Sequence, residues 1–147
     1  MRKCLSCLAV LAAITGHAVA APNLANEEQA IAQLKATPAC CVIDARNSVR
    51  RKLRPLADAL VWRDGVVVAP TGTVVIVADD DKTGLDLGRV IEKRFKAKHV
   101  LVVKGGLDTW DAVVRSAQEP GMPATFVIPR NTCEQGPPLQ TLRSNKK

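Results

Sequence analysis

Thr73-Val74-Val75-Ile76-Val77-Ala78, followed at once by Asp79-Asp80-Asp81-Lys82, is the stretch on which the fold turns. The first six residues are apolar throughout apart from one threonine. A half-exposed strand would alternate polar and apolar residues; a continuous apolar run predicts a strand buried on both faces, as in a parallel sheet covered by helices. The acidic triplet then breaks the strand sharply. Downstream, residues 84–95 have the spacing of a helix, with Leu85, Leu87, Val90, Ile91 and Phe95 expected inward and Lys93, Arg94 and Lys96 at the negative end of its dipole. Residues 99–103 predict the next buried strand, Gly105-Gly106 a tight turn, and residues 107–117 another helix.

Upstream, Cys41-Val42-Ile43 is a short apolar run ending at Asp44 and predicts a further buried strand. Before it, residues 26–35 predict a helix capped by Asn26, with Glu27 and Glu28 in its first turn and Ala30, Ile31 and Leu34 on one face. Between the strands lie a basic run, residues 46–54, expected as a loop with a helical turn, and a brief strand over residues 59–62. Residues 120–123 predict a loop and residues 124–128 a late strand. Strands alternating with helices predict an α/β domain whose small, mainly parallel sheet is flanked by helices.

The amino-terminal segment has another layout. Arg2 and Lys3 precede an apolar stretch over residues 4–14, and Ala18-Val19-Ala20 follows with small residues at its first and third places. This predicts a cleavable signal peptide over residues 1–20 and export, most simply to a periplasm. The apolar stretch falls short of the roughly 20 residues a membrane-spanning helix needs, so no transmembrane segment is expected after cleavage. The expected organisation is the signal peptide, a domain over residues 21–130, and a polar tail over residues 131–147. Cleavage leaves 127 residues and lowers the net charge from +7 to +5. That modest positive charge suits anionic membrane surfaces or anionic small molecules, with solubility the preferred reading. With only two Trp and two Phe as aromatics, and with export, nucleic acid is not an expected partner.

Three pieces in order, from about Val42 to Trp110, carry a resemblance to the rhodanese family of sulfurtransferases. Val42-Ile43-Asp44-Ala45-Arg46 is similar to the family's first core strand ending in Asp-x-Arg. Residues 74–78 with the loop and helix after them are similar to the elements that present its catalytic cysteine. Val100-Leu101-Val102-Val103-Lys104-Gly105-Gly106-Leu107-Asp108-Thr109-Trp110 is similar to its strand, Gly-Gly turn and aromatic-bearing helix start. The resemblance implies a rhodanese-like fold and an active loop over Asp79, Asp80, Asp81, Lys82, Thr83 and Gly84. In the family such a loop cradles a thiolate at a helix amino end, which lowers its pKa and stabilises a persulfide or bound oxyanion. Here Asp79 stands at the place of the cysteine, and a carboxylate cannot carry sulfane sulfur. The segment before the second strand, Leu56-Ala57-Asp58-Ala59, also departs from the family pattern.

The expectation is therefore a binding or scaffold module without sulfur transfer, with Asp44, Arg46, Asp79 and Thr83 as binding residues and an unknown protein or small anionic ligand as partner. Arg46 is expected to pair with a carboxylate or line the pocket floor, and Asp44 to order the loops. No cofactor is expected. A cation site built from Asp79, Asp80 and Asp81, with Asp86 as a further candidate, is the lesser reading, since consecutive carboxylates rarely converge on one ion; helix capping is preferred, and no metal is expected. Cys40, Cys41 and Cys133 remain in the mature chain. Strand alternation would send Cys40 and Cys41 to opposite faces, with a disulfide from Cys133 to one of them tying the tail to the sheet. The alternative function is a periplasmic sulfurtransferase or thiol-redox protein using Cys40 or Cys41. His99 is expected at the surface, and Trp62 and Trp110 in the core or at its edge.

Overall fold

The computed structural model describes residues 21–118. Their order is β1 (Asn23–Ala25), α1 (Glu27–Ala36), β2 (Ala39–Asp44), α2 (Ser48–Leu53), β3 (Leu60–Val61), β4 (Thr73–Val77), α3 (Asp81–Phe95), β5 (His99–Val103) and α4 (Leu107–Ala117). The strands form one sheet in the order β1-β5-β4-β2-β3, with every pairing parallel. The chain is thus of the α/β class, with helices on both faces of a mainly parallel sheet. The predicted signal segment, the strand over residues 124–128, the tail and Cys133 lie outside the described residues. No helix among the described residues is long and apolar enough to cross a membrane.

The apolar run of β4 is buried at all five positions because both faces are covered. Val74 and Ile76 face one core with Ile43, Val100 and Val102, closed by Leu87 and Ile91 of α3. Val75 and Val77 face the other with Val42, Leu101 and Val103, closed by Leu34 of α1 and by Trp110 and Val113 of α4.

Three local features depart from the sequence reading. β1 was not predicted; three residues of mixed polarity carry no periodic signal, and the strand exists because it pairs with β5. α3 begins at Asp81 rather than residue 84, because Asp80 caps it by accepting the Thr83 N–H at 2.8 Å. Its inner face runs through Gly84, Leu87, Gly88, Ile91 and Glu92, which rotates Val90 out to 44% exposure.

The third departure concerns the cysteines. Ala39 pairs with Thr73 and Cys41 with Val74, so two steps on β2 oppose one step on β4. This β-bulge at Cys40 breaks the alternation. Cys40 and Cys41 do not go to opposite faces; both join the α3-side core, with their sulfurs 3.8 Å apart.

Glu92 is 8% exposed and its Oε1 has no hydrogen-bond partner among the described residues. Burial pushes its pKa up, against a smaller opposing pull from Arg89. A carboxyl whose pKa is raised by folding stabilises the fold while protonated, and that contribution is lost as pH rises through the raised value. Glu92→Gln should therefore be more stable than the parent by roughly 1 kcal/mol at pH values above the carboxylate range. The gap should close as pH falls through that range, read from urea unfolding midpoints of both proteins.

Candidate functional site

In this strand order the chain leaves β2 toward β3 on one side and leaves β4 toward β5 on the other. The loops after β2 and β4 therefore diverge, and open α/β sheets bind ligands in the crevice such divergence leaves at the carboxyl ends of the strands. A cavity of about 200 Å³ lies there. Its walls include Arg46 from the loop after β2, Arg50 and Leu53 from α2, Asp79 from the loop after β4, and Leu107 and Asp108 from the start of α4.

The floor is a buried ion pair. Asp44 ends β2 and Arg46 follows it two residues later; they are 2% and 3% exposed. Asp44 Oδ1 accepts from Arg46 Nε at 2.9 Å and from the Arg46 backbone N–H at 3.1 Å, while Oδ2 accepts from Nη2 at 2.7 Å. The hydrogen bonds from Asp44 are the main reason the Arg46 guanidinium is held in its charged form. Nη1 of Arg46 has no partner among the described residues, and Arg46 lines the cavity.

Asn47, which sequence reasoning did not single out, ties the two loops together. Its backbone N–H and Nδ2 both donate to Asp79 Oδ2, at 2.7 and 2.8 Å. Its own Oδ1 caps α2 by accepting the Arg50 N–H at 2.9 Å. The other oxygen of Asp79, Oδ1, accepts no hydrogen bond and has the Arg50 Nε at 3.5 Å, a Coulombic contact only. The signal was present: an Asn directly ahead of a short basic helix has the chemistry of an amino-terminal cap.

The acidic triplet does not converge. Asp79 turns to Asn47, Asp80 takes the N–H and hydroxyl of Thr83, and Asp81 Oδ1 accepts the Gly105 N–H at 3.0 Å. The Thr83 hydrogen bonds hold the Asp80 carboxyl below its ordinary range. Asp86 pairs with Lys82 and Arg89. No cluster of three metal-ligating side chains occurs among the described residues. Thr83 spends both its polar groups on the cap and does not line the cavity.

The opposite wall is fixed by Gly105-Gly106. Gly106 has φ +67°, and a Cβ there would lie 2.4 Å from the Ala78 carbonyl oxygen, so this position takes glycine alone. α4 thereby starts hard against the end of β4, and it starts without a side-chain cap. Its first-turn N–H groups carry the positive end of the helix dipole toward the crevice. Arg54 bridges α2 to α4 through Asp108 and Asp111, each at 2.6 Å; its hydrogen bond lowers the Asp108 pKa.

The cysteines lie at the other end of β2. Cys41 is fully buried and keeps a free thiol, which burial pushes up to about 12. Cys40 is 5% exposed. The disulfide expected between Cys133 and one of the two lies outside the described residues. Of the four binding residues expected from sequence, Arg46 and Asp79 line the crevice, Asp44 reaches it only by holding Arg46, and Thr83 stands aside. Compared with family models, with curated proteins and with solved structures, the chain matches none.

Two outcomes are expected. Arg46→Ala strands the buried Asp44 carboxylate and should destabilise by about 3–5 kcal/mol, while the double variant with Asp44→Ala should cost less than the two single changes together; chemical denaturation of the four proteins measures this. Iodoacetamide should leave Cys41 unmodified in native protein and alkylate it in denaturant, as read by peptide mass mapping.

Proposed function

We propose that this chain is an exported rhodanese-like domain that acts as a binding module, without sulfur transfer, and takes a small oxyanion or carboxylate ligand in the crevice. One observation carries the reading. The crevice offers the spare nitrogen of Arg46, the mostly exposed guanidinium of Arg50 and the uncapped start of α4, beside a carboxylate in place of a nucleophile. Guanidinium nitrogens and helix amino ends are the usual partners of oxyanions and carboxylates. At about 200 Å³ the cavity is smaller than ordinary small-molecule pockets of roughly 300–1,000 Å³, so it suits an anion of a few heavy atoms.

Asp79 is the reason to separate binding from catalysis. Sulfur transfer needs a nucleophile that accepts sulfane sulfur and then releases it. The Asp79 carboxylate cannot, and it places a negative charge on the wall an incoming anion must approach. It therefore tunes affinity downward. The thiol alternative has less support: Cys41 combines burial with a raised pKa, the reverse of what a reactive thiolate requires.

The test uses mature protein, with sulfate and thiosulfate as probes in calorimetric or NMR titrations. Both anions should bind; Arg50→Ala should weaken them by about tenfold, and Asp79→Asn should strengthen them. Thiosulfate-to-cyanide sulfur transfer should stay at the uncatalysed rate. Turnover by the unaltered protein, or a persulfide on any of its cysteines after thiosulfate treatment, would overturn the proposal.

A further inference from the structure

α2 is unusual for a helix in a covered sheet: none of its side chains is buried. A second cavity, of about 260 Å³, lies on the side of α2 away from the crevice, between the helix and β3. Pro55, Leu56 and Val61 give it an apolar surface, and Arg51 and Lys52 give it two cations. Asp44 also borders it, but that carboxylate is committed to Arg46.

The charges on the two sides of α2 differ. Arg50 faces Asp79, and Arg54 faces Asp108 and Asp111. Arg51 donates to the Arg46 carbonyl, and neither it nor Lys52 has a carboxylate partner among the described residues. Between the two cavities runs an apolar ridge. Val49 and Leu53 lie one helical turn apart and are 64% and 76% exposed. With Val61, they are three of the five large apolar side chains exposed among the described residues. β3 adds the last element, since it pairs with β2 on one side and has no strand on the other among the described residues.

We propose that α2 and the cleft between it and β3 form a docking surface for an acidic, aliphatic-bearing segment of a protein partner. Carboxylates of that segment meet Lys52 and Arg51. One aliphatic side chain enters the cleft over Leu56 and Val61, and another lies on the Val49–Leu53 ridge. An acidic occupant follows from the two uncompensated cations. A polypeptide follows from the concavity, since a cleft beside a ridge receives protruding side chains, which a lipid surface does not offer. A free anion would leave the apolar floor and ridge uncovered. Leu53 also borders the crevice, but the cations of this surface, Arg51 and Lys52, and the cleft over Leu56 and Val61 lie outside the crevice lining.

The probe is a seven-residue peptide alternating glutamate and leucine, titrated into mature protein by calorimetry, with its lysine-for-glutamate counterpart and phosphatidylglycerol vesicles run alongside. The glutamate peptide should bind and the lysine peptide should not. Lys52→Glu, and separately Val49→Ser with Leu53→Ser, should each weaken binding by about tenfold, with Lys93→Glu on α3 changing it by less than about twofold. All these positions are exposed, and none of their side chains has a partner among the described residues, so the variants should fold. Three results would overturn the proposal: no peptide binding, equal losses at Lys52 and Lys93, or vesicle binding that the Lys52 change abolishes while the peptide is ignored.

Discussion

The bidentate pair between Asp44 and Arg46 is the constraint on which the carboxyl end of the sheet depends. Two opposite charges two residues apart, both almost fully buried, cannot be satisfied by water. Each satisfies the other, and the turn after β2 folds the guanidinium back onto the carboxylate that ends the strand. That turn places Asn47 where it reaches Asp79, and places the Arg46 carbonyl where Arg51 reaches it. A buried ion pair is weak evidence for stability, because the cost of desolvation offsets most of its Coulombic gain. What it supplies here is geometry: it sets how β2 hands over to α2, and so where the crevice opens.

Most of the charge around the crevice is spent internally. Asp44 holds Arg46, Asp79 faces Arg50, and Asp108 and Asp111 hold Arg54. A ligand entering such a site competes with carboxylates already in place, so a strong positive field is not what recruits it. The pairs differ in how firmly they are held. Arg54 and Asp108 are largely exposed, where an ion pair contributes little net free energy and exchanges readily. Arg50 has no hydrogen bond to Asp79 at all. The crevice is thus rigid at its floor, through Arg46, and adaptable at its rim, through Arg50 and Arg54.

The sequence made the sheet legible because β2, β4 and β5 are apolar without alternation, a pattern that only two-sided burial requires. The caps were legible for the same local reason: Asn26 ahead of α1 appears in the structure as predicted, with its side chain on the Gln29 N–H. What stayed hidden depended on partners far along the chain. Asn47 belongs to the site only through Asp79, thirty-two residues away. Glu92 is buried because α3 is oriented by Leu87 and Ile91 with Gly88 pressed against Pro22, which carries Glu92 inward and Val90 outward. The bulge at Cys40 follows from the register between β2 and β4, which nothing in Ala39-Cys40-Cys41 announces.

The position of Cys41 along β2 also separates its thiol from the place where chemistry could be assisted. Cys41 and Asp44 are three residues apart on one strand, about 10 Å at roughly 3.3 Å per residue. The helix starts that could lower a thiol pKa, those of α3 and α4, follow β4 and β5 and so lie at the Asp44 end. Cys41 instead sits among Ile43, Val74 and Val100, where desolvation works against the thiolate. Moving it toward the crevice would require β2 to slip along β4, and each one-residue slip would exchange the side chains of both covered faces. Such a slip would carry Asp44 and Arg46 past the end of β4 and pull Asn47 off Asp79. The register that seats the ion pair at the carboxyl end of the sheet therefore leaves Cys41 in the core, away from the carboxylates and guanidinium groups that line the crevice.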